Sequence, residues 1–185
     1  MANSVPLRLY TEISLAVALA VVLHLLSMAL PIPRLPMGGE VSLRMLPILL
    51  VAWRWGGRAG VGGGALYGLI DFLLRPLYVH PVQLLLDYPL AFGAVGLAGI
   101  CARVGPGAGG RVWLLVAVLM GYGGRLFFHF ISGLVFFAQY APAGQSAWQY
   151  SLLYNGSYLA LEAGLLIVLG QASLGRLPLV RQTRS

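Results

Sequence analysis

Arg125, His129 and Asn155 interrupt the stretch "RLFFHFISGLVFFAQYAPAGQSAWQYSLLYNGSY", residues 125–158, one of the most apolar and aromatic parts of the chain. Ionisable groups in such a segment are costly to bury, and by default they mark a site or an internal pair. Glu40, Asp87, Tyr88 and Tyr150 each stand near the start of an apolar run, so folding can bring them to the level of His129 and Asn155. The loop between the last two runs adds Gln139, Tyr140 and Trp148. These chemistries suit one kind of ligand. Carboxylates neutralise a cation, aromatic faces attract it by about 0.5 to 2 kcal/mol each, and Asn or Tyr can recognise ring nitrogens or amines. A small aromatic cation is therefore expected. Few arginines fall at this level, which makes a phosphorylated ligand less favoured.

The elements that must hold these residues are membrane helices. Of 185 residues, 59% are hydrophobic and 9% charged, whereas soluble domains are roughly one quarter charged. The apolar content excludes a disordered chain, and the glycines lack a collagen period. Runs able to cross a hydrocarbon core of roughly 30 Å cover 10–31, 59–76, 82–102, 112–137 and 150–172, and a shorter run at 43–55 makes six. The expected fold is all-α, a single integral membrane domain over 1–185 with six transmembrane helices and both termini cytoplasmic. Arg8, Arg54, Arg58, Arg103, Arg111, Arg176, Arg181 and Arg184 gather on one face, against Arg34, Arg44 and Arg75 on the other. The richer face is expected inside. The net charge of +7 thus reads as topology rather than as a nucleic-acid surface. The first run, apolar from Ile13 to Leu30, is too long for a signal-peptide core and is kept as a helix. Pro31, Pro33 and Pro36 end it in an outer loop, and 104–111 reads as a flexible cytoplasmic turn.

Several residues receive structural readings. Arg125 and Glu162, near the middles of consecutive antiparallel helices, are expected to form a buried ion pair that also orients His129. Asp71 and Arg75 are expected to form an exposed pair without functional weight, and His24 and His80 to be isolated, hydrogen-bonded core residues. Gly60, Gly64 and Gly68 have the small-xxx-small spacing of close helix packing; Ala16 and Ala20 share it and could equally receive a partner protein. Trp53 and Trp55 fit an interfacial belt. Asn155-Gly-Ser157 matches a glycosylation sequon that reads as accidental at a helix mouth, and Cys101 reads as a small apolar filler. The three histidines are too scattered for a metal site, and no nucleophile turn is present, so an enzyme is disfavoured. A stand-alone secondary carrier for the same cation is the alternative, although the internal repeats and broken midplane helices typical of carriers are not visible.

The stretch "GRLFFHFISGLVFFAQYAPAGQSAWQYSLLYNGSY", with "LLLDYPLAFGAVGLAG" at 84–99 and "GGEVSLRMLPILL" at 38–50, closely resembles the thiamine-specific S component of energy-coupling factor (ECF) transporters, the ThiT/YuaJ family. The likeness covers nearly the whole chain. It implies a thiamine-binding subunit of a prokaryotic plasma membrane that captures the vitamin from outside without a cofactor or an ATPase of its own. The implied partners are a transmembrane coupling protein and two ATP-binding subunits, and the absence of a G-x-x-x-x-G-K-[ST] loop agrees. The resemblance implies that His129 contacts the thiazolium region and that Tyr150 and Asn155 lie near the aminopyrimidine. Asp87 stands where a family member has glutamate and would serve as the carboxylate partner; Glu40 matches a second acidic position. Phe137 replaces an expected tryptophan, so cation–π attraction would be weaker there, with Trp148 as a compensating ring. The alanine-rich first-helix face on which family members dock the coupling protein is matched by Ala16 and Ala20, with Ala18.

Overall fold

The computed structural model describes residues 7–29, 35–103 and 108–173, which form six helices and no strand. These are α1 (Leu7–Ala29), α2 (Leu46–Trp55), α3 (Gly57–Leu74), a composite α4 over 81–103, α5 (Ala108–Phe136) and α6 (Ala147–Ser173). Four of them, α1, most of α4, α5 and α6, are long and apolar enough to cross a membrane. With its 18 residues, α3 rises about 27 Å, while α2 is a shorter apolar helix. The expected all-α membrane bundle is thus the observed fold. Arg34, Arg176, Arg181, Arg184, Pro31, Pro33 and the turn at 104–107 lie outside the described residues.

Local chemistry explains where α2 and α4 begin and bend. Pro47 opens α2, where a missing N–H costs nothing. Gly56 closes it at φ 88°, a left-handed conformation suited to glycine, and α3 starts at once. In α4 the His80 side chain accepts the Val82 N–H at 3.1 Å ahead of Pro81. Pro89 has no N–H to donate, and the chain around it widens into a π turn, Leu86–Leu90. That turn carries Asp87 and Tyr88. An α turn, Ala91–Val95, and a 3-10 stretch, Gly96–Arg103, complete the span.

At the centre, α3 packs on α1, α2 and α4, and α5 packs between α4 and α6. Between lipid-embedded helices, tight packing takes over the role that water exclusion has elsewhere. The glycine line of α3 fits this need. A methyl group on Gly64 would overlap the Phe92 carbonyl, one on Gly68 the Tyr88 carbonyl, and one on Gly60 both Ala52 and Gly96. The α5–α6 crossing has its own close contact, where Gly133 lies against the Ser151 side chain. Cys101 is buried with Ala98 and Ala117, as a filler would be.

The alanine reading of α1 requires correction. Ala16 and Ala20 are only 8% and 0% exposed and belong to the core with Val17, Ile48 and Tyr67. Their short side chains let α1 approach the bundle, so they do not offer a docking surface. Of the three alanines only Ala18 is exposed, beside Leu15, Leu19 and Val22.

Candidate ligand-binding site

A cavity of about 500 Å³ opens at the end of the bundle where α1, α3 and α5 finish and α2, α4 and α6 start. That volume is in the range of small-molecule sites, about 300 to 1,000 Å³. Its aromatic wall comprises Tyr88 and Phe92 from α4, Phe137 just past α5, and Tyr150, Tyr154 and Tyr158 from α6. Four-residue spacing stacks the three α6 tyrosines on one face, with successive ring centroids 5.8 and 6.0 Å apart. Asn155 lies beside them, its Nδ2 donating to the Ser151 carbonyl at 3.0 Å and its Oδ1 accepting from the Tyr158 hydroxyl at 3.2 Å. Because Asn155 is buried within the bundle, the sequon reading loses its surface.

The π turn presents Asp87 to the same cavity. Ser132 Oγ and Gln83 Nε2 both donate to Asp87 Oδ2, at 2.7 and 2.8 Å. Asp87 Oδ1 lies 3.1 Å from His129 Nδ1. The other ring nitrogen, Nε2, accepts from Arg125 Nε at 3.4 Å. A guanidinium can only donate, so the imidazole proton is assigned to Nδ1, which donates to Asp87. The histidine is then neutral in this arrangement, and Asp87 keeps its charge.

Every other carboxylate meets an arginine. Arg125 Nη1 lies 2.8 Å from Glu162 Oε2, with side chains 1% and 0% exposed, so the buried pair expected across α5 and α6 is present. Glu40 is held by Arg44 and Arg75, each at 3.1 Å. Asp71 lies 3.2 Å from Arg44 and accepts from the Tyr67 hydroxyl at 2.9 Å. At the opposite end of the bundle Glu12 pairs with Arg8 and Arg54, at 2.9 and 3.0 Å. Among the described residues Asp87 alone has no arginine partner. Around the cavity Glu40, Asp71 and Glu162 each have a guanidinium within 3.2 Å, whereas the Asp87 carboxylate is held by His129, Ser132 and Gln83.

This network overturns some expectations. Asp71 and Arg75 do not bridge each other, since both reach across to residues of the 35–45 segment. Nor is His24 isolated: its Nδ1 lies 2.8 Å from Arg44 Nη1 and 3.0 Å from Asp71 Oδ1. His80 is exposed at the start of α4 and is not a core residue. Arg44 and Arg75, placed on this face by the sequence, line the cavity with Arg125, and each is matched by a carboxylate. Trp148 is 53% exposed and outside the lining, so it does not supply the compensating ring. Glu40 is buried behind the wall in its arginine pairs rather than on it. His129, Asn155, Tyr150, Asp87, Tyr88 and Phe137 all meet in the lining.

Comparison with known proteins gives the chain relatives. A family model described as thiamine transporter protein (Thia_YuaJ) matches residues 10–175. The chain belongs to the thiamine transporter family. Two curated members are named thiamine transporter ThiT. The one from Bacillus subtilis is 43% identical over 157 residues, 80% of each chain. The one from Lacticaseibacillus paracasei is 31% identical over 140 residues, 70% of each. A solved structure of ThiT from Listeria monocytogenes superposes with a TM-score of 0.80 at 26% identity, over 93% of this chain and 96% of that one. As a member of a transporter family with several membrane-crossing helices, the chain is a multi-pass protein of the bacterial plasma membrane.

Within this family member, sequence reasoning overlooked Gln83, Ser132 and the His24–Arg44–Asp71 group. A signal for His24 was available. Ala16, Ala20 and His24 recur every fourth residue, so a buried face for the alanines carries the histidine inward with them.

Proposed function

We propose that the chain binds thiamine in this cavity, as the substrate-capture subunit of an ECF-type uptake transporter. Asp87, the carboxylate without an arginine partner among the described residues, inside an aromatic cavity carries this reading. Thiamine is an aromatic monocation, and its thiazolium ring would give Asp87 a cationic partner while tyrosine and phenylalanine faces attract it. His129 would contact the thiazolium region, with Tyr150 and Asn155 near the aminopyrimidine and Phe137 and Tyr88 as flanking rings. The names of the Bacillus and Lacticaseibacillus relatives support the same substrate.

The cavity mouth faces outward and both termini are cytoplasmic in this proposal. Arg8, Arg54, Arg58 and Arg111 at the opposite end of the bundle favour that orientation. The chain has no phosphate-binding loop, so energy comes from a transmembrane coupling protein and two ATP-binding subunits. Labelled thiamine uptake in cells without their own thiamine transport tests the arrangement. Accumulation is expected only when the coupling and ATP-binding subunits are co-expressed; equal uptake by the chain alone would favour the secondary carrier.

A further inference from the structure

We propose that Gln83 and Ser132 are positioning residues that fix Asp87 as a charged pole and thereby set selectivity for a cationic ligand over a neutral one of the same shape. The proposal deepens the thiamine reading and rests on it.

Both residues are fully buried, and both donate to the same carboxylate oxygen, Oδ2. A carboxylate has about four lone-pair sites, so these two bonds fill Oδ2. His129 takes one site on Oδ1, which leaves the remaining Oδ1 site for a ligand. The Gln83 amide is itself held in one orientation. Its Oε1 accepts the Val79 N–H at 3.1 Å, and its Nε2 donates to the Leu77 carbonyl at 3.1 Å as well as to Asp87. Reversing the amide would set its oxygen against two acceptors and its NH2 against a donor. The segment after α3 thus fixes Gln83, and Gln83 fixes Asp87.

The chemical type of these donors is the decisive feature. An arginine would hold the carboxylate just as firmly and would cancel its charge, as happens at Glu40, Asp71 and Glu162. A hydroxyl and an amide hold it without cancelling it. The carboxylate stays rigid, anionic and available to a positively charged ring. A loosened Asp87 could turn toward Arg125 or the cavity wall, and its field at the ligand would fall.

The test measures affinities of wild type, Ser132→Ala, Gln83→Met and the double variant for two compounds. One is thiamine; the other is its neutral isostere, with carbon in place of the charged thiazolium nitrogen. Each single change is expected to weaken thiamine binding about tenfold while altering isostere binding less than about threefold, the loss expected for one hydrogen bond to a charged group. Ser132→Ala removes a single oxygen and serves if Gln83→Met fails to fold, as judged by thermal unfolding. Parallel losses for both compounds would mean a general structural role and would overturn the proposal. Unchanged thiamine affinity in a folded variant would also overturn it. Wild-type protein that binds thiamine and the isostere equally would refute the charge selectivity alone; wild-type protein that binds neither would refute the thiamine reading and this proposal together.

Discussion

Asp87→Asn should weaken thiamine binding by about 3 kcal/mol, on the order of a hundredfold, because it removes one partner of a largely desolvated charge pair. The amide is nearly the same size, so the π turn at Leu86–Leu90 should persist. Two consequences follow from the local geometry. The charge facing the ligand disappears, and if the new Nδ2 takes the place of Oδ2 it confronts Ser132 and Gln83, both of which donate to that atom. If the amide turns the other way, it confronts the Nδ1–H of His129 instead. Either orientation leaves a donor unmatched at the site. Calorimetric titration of the purified variant reads the loss directly. An affinity within about threefold of wild type, well below the loss expected for a broken charge pair, would remove Asp87 from the recognition of the cation.

Arg125→Met should cost about 3 to 5 kcal/mol of stability, because it strands Glu162 in the bundle interior. Arg125 also lies over the Phe92 ring, 4.5 Å from its centroid, and donates to His129. A second change, Glu162→Leu, should restore much of the lost stability, since replacing a whole buried pair by apolar side chains is often nearly neutral. Thiamine affinity should stay reduced in the double variant, as His129 has lost the donor that fixes its tautomer. Thermal unfolding in detergent, read beside a binding titration, separates the two effects. Full recovery of both stability and affinity would confine Arg125 and Glu162 to structure.

The legibility of this fold and site varied with the kind of contact involved. Length and hydropathy located the helices because a bilayer demands long apolar runs. The Arg125–Glu162 pair was legible because it joins the middles of sequential helices. His129, Asn155, Tyr150 and Asp87 were legible because they share one end of the bundle. Local spacing misled at Asp71 and Arg75: four residues apart on α3, they turn to Arg44 and Glu40, which come from the segment before α2. Rotation about a helix accounts for Trp148. At about 100° per residue it sits roughly opposite Tyr150, so a tyrosine facing the cavity turns the tryptophan away. The same rotation separates exposed Ala18 from buried Ala16 and Ala20. An almost wholly apolar helix such as α1 does not mark in its sequence which face meets lipid and which meets protein. The π turn was hidden as well, because Pro89 signals a break in regular hydrogen bonding without saying how the chain absorbs it.

The central claim is that thiamine occupies the cavity beside Asp87, and titration of the purified, detergent-solubilised protein tests it most directly. Calorimetry should report one saturable site with submicromolar affinity, with intrinsic tryptophan fluorescence as a second signal. Absence of binding by a folded, monodisperse sample would contradict the claim and turn the search toward another aromatic cation as the partner of Asp87.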